Sequence, residues 1–197
     1  MVAEWVFATH NPHKLAEAQA VLGSVITLSP LPEGIPEAPE VQNSLYGNAL
    51  AKASFYKSFV SAPILAEDSG LFVPALGGRP GVYSARFGGP ARLLEALSSH
   101  QDRRAYFSAV LVAYLSPSAY VFFTGYWPGW IATEIRGEEG FGYDPVFIPT
   151  GESRTAAELG SEWKLKHSHR TQALRNFAAW LTGSALQEGV PPAKPSF

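Results

Sequence analysis

The stretch Ala105 to Phe123 most constrains the fold. It is largely apolar, but Ser116-Pro117-Ser118 interrupts it. A membrane span needs about 20 apolar residues in a row, and this break denies it. The stretch therefore reads as two strands and a turn, Tyr106 to Leu115 and Tyr120 to Trp127. Consecutive strands in mid-chain point to a sheet that is not purely parallel.

Ahead of this pair, strands and helices alternate. Trp5 to Thr9 is a short apolar run and predicts a first strand. Asn11-Pro12 opens a helix, with Asn as cap and Pro at the first helical position. Leu15, Ala18, Val21 and Leu22 repeat at helical spacing, and Gly23 stops the helix. Ser24 to Leu28 predicts a second strand. Pro30 to Pro39 reads as loop, its neighbourhood carrying Glu33, Glu37 and Glu40. A helix is expected from Asn43 to about Val60, with Leu45, Ala49, Ala53 and Tyr56 on one face and Lys52 inside it. Ile64 to Ala66 predicts a buried strand ending at Glu67-Asp68.

Leu76 to Pro90 is dense in Gly and Pro and reads as loop. Arg92 to Leu97 predicts a short helix. Trp130 to Ile135 leads into a glycine-rich turn, Gly137 to Pro145. Ser168 caps a last helix whose apolar residues are Ala173, Leu174, Phe177, Trp180 and Leu181. The expected fold is α/β: an elongated mixed sheet of two lobes with a central groove. Residues 1–183 are expected to form one domain, and 184–197, with Pro191, Pro192 and Pro195, a mobile tail.

Composition removes several function classes. Hydrophobic residues are 46% of the 197 and charged ones 16%, enough apolar material for a core. Net charge is -2, with 15 basic against 17 acidic residues, so no dense basic face for nucleic acid is expected. A small anion needs only a few local cations and remains open. The absence of cysteine excludes disulfides, thiolate zinc sites and cysteine nucleophiles. No basic leader precedes the first strand, so a cytoplasmic protein free of membrane is expected.

Four segments carry candidate chemistry. Thr9-His10-Asn11-Pro12-His13-Lys14 lies at a strand-to-helix junction. Free N–H groups and the dipole of a helix N-terminus favour phosphate there, and Lys14 adds a cation. The plainer reading is an ordinary capped helix. Glu67-Asp68-Ser69-Gly70 offers hard carboxylate oxygens, which suit Mg²⁺ shared with substrate phosphates. Asp68 could hold the ion, activate water, or both. The plainer reading is an acidic turn. Phe141-Gly142-Tyr143-Asp144 sets two aromatics around a glycine, able to stack on a planar base or simply to pack a turn. Lys164 with Ser168-His169-Arg170 adds cations at the start of the last helix. Neither a nucleophile elbow nor zinc-type histidine spacing is present.

Taken in order, these segments resemble the inosine triphosphate pyrophosphatase family, whose members are also called dITP/XTP pyrophosphatases. The matching pieces are Ala8 to Lys14, Gly47-Asn48-Ala49 with Lys52-Ala53, and Ala66 to Leu71. They continue with Pro80 to Arg86, Gly140 to Phe147, Ala157-Glu158-Leu159, Lys164 and Ser168-His169-Arg170. The resemblance implies a homodimer of two-lobed subunits. It implies Mg²⁺-dependent cleavage of purine nucleoside triphosphates such as ITP, dITP and XTP into monophosphate and pyrophosphate.

By position, it makes Asp68 the general base and a metal ligand, with Glu40 the second metal carboxylate and Glu37 the fallback. Thr9, His10, Asn11, Pro12, His13, Lys14, Lys52 and Ser69 would hold phosphates. Phe141, Gly142, Tyr143 and Asp144 would frame the base. Lys164, His169 and Arg170 would close over the nucleotide. Glu67, Gly47 and Leu165 depart from the family's commoner Asp, Glu and Asn. A pyrophosphatase acting on other nucleotides, or a nucleotide-binding module without catalysis, are the alternative readings.

Overall fold

A computed structural model of the chain describes residues 4–183. The expected mobile tail, 184–197, lies outside the described residues. Seven strands form one sheet: β1 (Glu4–Phe7), β2 (Thr27–Ser29), β3 (Ile64–Phe72), β4 (Pro80–Gly81), β5 (Arg104–Ser116), β6 (Ala119–Ile131) and β7 (Phe147–Pro149). Their order is β2-β1-β3-β5-β6-β7, with β4 paired to β3. β1 runs parallel to β2 and β3, and the other pairings are antiparallel. The mixed sheet expected from the order of elements is therefore present.

Helices α1 (Pro12–Leu22), α2 (Leu45–Lys57), α3 (Gly89–Ala96), α4 (Ala156–Leu159), α5 (Ser161–His167) and α6 (His169–Thr182) cover it. The caps explain where three of them start. Asn11 Oδ1 accepts from the backbone N–H of His13 and Lys14, with Pro12 at the first turn. Ser44 caps α2 through the Gly47 N–H, so this helix starts at Leu45 rather than Asn43. Ser168 caps α6 through Thr171 N–H.

Strand alternation divides the core between the two faces. Leu65, Ala109 and Leu111 pack with Phe7, Leu22, Leu174 and Phe177 beneath α1 and α6. Ile64, Ala66, Val110 and Val112 pack with Ala49, Ala53 and Tyr56 beneath α2. A third cluster gathers Leu71, Leu93, Phe107, Trp127 and Phe147 towards the far ends of β5 and β6. Phe7, Phe147 and Phe177 are wholly buried, each burial contributing about 1.5–3 kcal/mol. The first two clusters meet the third midway along β3, and the polar residues there become the site.

One glycine sets how close α6 comes to the sheet. A Cβ on Gly125 of β6 would lie 1.7 Å from the His169 carbonyl oxygen. Only a residue without a side chain lets the first turn of α6 rest directly on the strand.

Some boundaries differ from the sequence expectation. β3 does not end at Ala66 but continues through Glu67-Asp68-Ser69-Gly70 to Phe72. α2 stops at Lys57, short of Val60. The region read as loop from Leu76 to Pro90 holds β4 and the start of α3. Of Trp130 to Ile135, only Trp130 and Ile131 belong to β6. β7, α4 and α5 are additional elements, each too short for periodicity to reveal.

Candidate active site

The continuation of β3 decides the chemistry of its acidic pair. In a strand, neighbouring side chains point to opposite faces. Glu67 and Ser69 therefore face α1 and α6, while Asp68 faces α2. Two carboxylates adjacent in sequence enter two different electrostatic environments.

Glu67 lies among cations. Lys14 Nζ is 3.2 Å from its Oε2, and Arg170 Nε and Nη2 donate to its two oxygens at 3.3 Å each. Burial alone raises a carboxyl pKa, but Arg170 and Lys14 outweigh burial and hold Glu67 well below the usual carboxylate range. Glu67 is a fixed anion.

Asp68 is placed in the opposite condition. Burial pushes its carboxyl up to about 6 despite Lys52, Lys14 and a hydrogen bond from Asn48. Asn48 Nδ2 donates to Asp68 Oδ2 at 3.0 Å, while Asn48 Oδ1 accepts from the Gln42 N–H at 3.0 Å. Lys52 Nζ lies 3.9 Å from Asp68 Oδ1 and donates to Glu40 Oε1 at 2.8 Å. Asn48 thus ties Asp68 to the loop that carries Glu40. Arg86 holds the same loop by donating to the Glu40 carbonyl at 3.2 Å.

Two hard carboxylates, Glu40 and Asp68, converge on Lys52 with Lys14 also close to both, and carboxylate oxygens are the ligands that Mg²⁺ takes. Among the described residues, no three His, Asp or Glu side chains converge as a complete metal cage. A divalent ion here would need phosphate and water ligands as well, which is how Mg²⁺ is commonly held. The set therefore fits the expected ion.

A chain of alternating charges runs away from Glu67. Arg170 bonds Glu17 as well as Glu67. Glu17 bonds Lys164 at 3.0 Å, and Lys164 bonds Asp144 Oδ2 at 2.7 Å. The order is Lys14, Glu67, Arg170, Glu17, Lys164, Asp144, three cations against three anions. Glu17 was not among the sequence-predicted residues, nor were Asn48 and Arg86. Its one signal is the spacing from Lys14 to Glu17, which puts both on one side of α1.

The turn expected to stack on a base splits into two roles. Tyr143 is buried in the third core cluster, and its hydroxyl donates to the Ser84 carbonyl at 2.8 Å. Phe141 remains half-exposed, with Lys164 Nζ 4.0 Å from its ring centre. Asp144 Oδ2 accepts from the Phe141 N–H at 2.9 Å and so fixes this residue from behind. Gly140 allows that contact: its φ is +80°, and a Cβ would lie 2.2 Å from the same oxygen.

Two cavities adjoin. One, of about 340 Å³, is lined by Ser69, Phe141, Gly142, Tyr143, Asp144, Lys164, His169 and Arg170. The other, of about 420 Å³, is lined by Thr9, His10, Glu37, Glu40, Lys52 and Arg86. Asn11, Lys14 and Ala85 line both, so they form one groove. Pro12, His13 and Asp68 line neither cavity: Pro12 serves the helix start, the His13 ring stacks on Phe141 with centroids 5.1 Å apart, and Asp68 is buried against Asn48 and Lys52. The Asn11 carboxamide is committed to the α1 cap. Lys164 stands at the Phe141 end of the groove. Its place there contrasts with Lys14 and Lys52, which border the carboxylates.

His169 lies flat against Phe107, centroids 4.7 Å apart. Burial and the neighbouring Arg170 depress its pKa far below the ordinary value, leaving a neutral ring. Its Nδ1 is buried without a hydrogen-bond partner among the described residues.

Comparison with known proteins places this groove in context. The curated dITP/XTP pyrophosphatase of Porphyromonas gingivalis is 45% identical over 186 residues, covering 87% of this chain and 95% of that one. The one from Methanopyrus kandleri is 45% identical over 183 residues, covering 89% and 94%. A solved Ham1 protein from Coxiella burnetii superposes with a TM-score of 0.84 at 38% identity, covering 93% of this chain and 100% of that chain. The Staphylococcus aureus Ham1 protein gives 0.80 at 33%, covering 91% and 98%. The Ham1 family model matches residues 5–180, a span holding every group of the groove described above. With fold, order of segments and near full-length identity in agreement, the chain belongs to the Ham1 family.

Proposed function

We propose that this chain hydrolyses deaminated purine nucleoside triphosphates (ITP, dITP and XTP) to the monophosphate and pyrophosphate. The observation that carries this reading is the split of the β3 acidic pair. It gives a permanently ionised Glu67 that organises cations, and beside it an Asp68 whose pKa of about 6 suits a base near neutral pH. Relatives named dITP/XTP pyrophosphatase supply the substrate class.

The triphosphate would lie along Lys14 and Lys52, with the base towards Phe141. Asp68 takes a proton from a water whose oxygen attacks the α-phosphorus. The bond from that phosphorus to the bridging oxygen breaks, and pyrophosphate leaves with the electron pair. Lys14 and Lys52 offset the charge that gathers on it. Glu40 and Asp68 would hold Mg²⁺, which supplies charge neutralisation on the phosphates.

Base choice rests on hydrogen-bond donors. A 6-oxo group accepts, whereas the 6-amino group of adenine donates. Most Arg170 N–H groups are spent on Glu67, Glu17 and Ser69, leaving one on Nη1. That donor and Lys164 favour an oxo base, because unpaired buried groups can discriminate by about 10⁴-fold. The reading includes a homodimer, to be measured by light scattering, and a cytoplasmic nucleotide pool as the source of substrate. No helix of the described residues is long and apolar enough to cross a membrane.

The test is a product assay. Purified protein with Mg²⁺ is incubated separately with ITP, XTP, GTP and ATP. The expected products are pyrophosphate and monophosphate, fastest from ITP and XTP. Orthophosphate with diphosphate as products would sink the cleavage position. Equal rates on ATP would sink the base preference.

A further inference from the structure

Among the site residues, His13 departs from the role its segment suggests. It occupies the first turn of α1, within the stretch expected to grip phosphate. Its ring instead lies nearly parallel to Phe141, at 16° and 5.1 Å between centroids. Phe141 belongs to the turn between β6 and β7, so the stack bridges the two sides of the groove. The other groups over Phe141 are anchored. Lys164 is held by Asp144 and Glu17, and Arg170 by Glu67 and Glu17. His13 is exposed, and its ring makes no hydrogen bond among the described residues. Among the described neighbours of the Phe141 ring, it is the one that can move without stranding a buried charge.

We infer that the His13 imidazole is the second wall of the base site, and that a purine inserts between it and Phe141. Stacked π-systems lie roughly 3.5 Å apart. Two such layers need ring centres about 7 Å apart, so the stack must open by about 2 Å. A small rotation of an exposed side chain on the first turn of a helix supplies this. The existing stack keeps the apolar face of Phe141 covered until a base replaces it. The substrate consequence is specific: the wall recognises a planar base of any purine and adds affinity, while the donors around Arg170 choose among bases.

This inference rests on the proposed purine triphosphate activity, and the experiment separates the two. His13→Ala and His13→Phe are assayed with ITP, and inorganic tripolyphosphate is used as a competitive inhibitor that has phosphates but no base. Base stacking on an aromatic side chain corresponds to roughly 5- to 160-fold in affinity. The expected result for His13→Ala is a KM for ITP raised about tenfold or more. Its kcat should change little, and its inhibition constant for tripolyphosphate should stay as in the native protein. His13→Phe, which keeps an aromatic ring and drops the ring nitrogens, should restore the native KM. The inference is overturned if His13→Ala leaves KM unchanged. It is also overturned if tripolyphosphate weakens in parallel with ITP, which gives His13 a phosphate-binding role, or if His13→Phe behaves like His13→Ala, which shows that a stacking ring is not what the site needs. Failure of the native protein to hydrolyse ITP would instead overturn the proposed function.

Discussion

Asp68→Asn should abolish hydrolysis yet make the folded protein more stable at neutral pH. The native Asp68 carboxyl is displaced from 3.8 to about 6, chiefly by burial. Above pH 6 the folded protein must hold it ionised where its neutral form is favoured. At about 1.4 kcal/mol for each pH unit of displacement, this costs roughly 3 kcal/mol. Below pH 3.8 both folded and unfolded chains carry the proton, and the penalty vanishes. Stability from this group is thus greatest in acid and falls as pH rises from about 4 to 6. An asparagine is never ionised and can still meet Asn48 and Lys52 through its carbonyl oxygen.

Urea unfolding of both proteins, in metal-free buffer with chelator, gives the comparison. The variant should be more stable by up to about 3 kcal/mol at pH 8 and by about half of that at pH 5. Groups common to both proteins cancel in the difference. A variant less stable than the native protein at pH 8 would refute the reasoning. So would a gap that does not change between the two pH values. Under the proposed function, the native protein would carry this penalty because a base must be poised near the pH at which it works.

Two further outcomes follow from the same geometry. Glu17→Ala leaves buried Lys164 and Arg170 with one carboxylate each, Asp144 and Glu67, and should cost about 2–3 kcal/mol, read from the urea midpoint. A loss below about 0.5 kcal/mol would show that the charge chain contributes nothing to stability at this link. Gly125→Ala drives a methyl group into the His169 carbonyl and should cost about 3 kcal/mol, a melting point lower by about 6–12 °C. An unchanged melting point would mean that α6 does not press on β6 as described.

What the sequence discloses here is local, and what it conceals is long-range. The start of α1 is legible because Asn11 and Pro12 act on their own neighbours. The strand Ile64 to Ala66 is legible as an apolar run, but its continuation through Glu67 and Asp68 is not. Charged residues enter a buried strand only when partners arrive, and here they come from α1, α2 and α6. Glu17 looks like any solvated helical carboxylate until α5 and α6 bring Lys164 and Arg170 to it. Phe141 and Tyr143 are equivalent in the sequence, and only the core beneath Tyr143 separates them. The short α4 does leave a trace, since Thr155 and Glu158 form a capping box that marks its start. The candidate residues are mostly brought together in one groove, but Pro12, His13 and Asp68 do not line its cavities, and no local signal reveals this.

The charge chain also bears on when activity can begin during synthesis. Arg170 joins Glu17 across 153 positions and Glu67 across 103. A growing chain that has made β3 but not α6 has Lys14 to pair with Glu67 but lacks Arg170, which joins Glu67 to Glu17. The Glu67 end of the groove cannot take its final shape before nearly all of the described chain has emerged. Contacts of such separation make the closing step slow and concerted. A half-made chain would lack this arrangement, and α6, the last of the described helices, is the one that completes it.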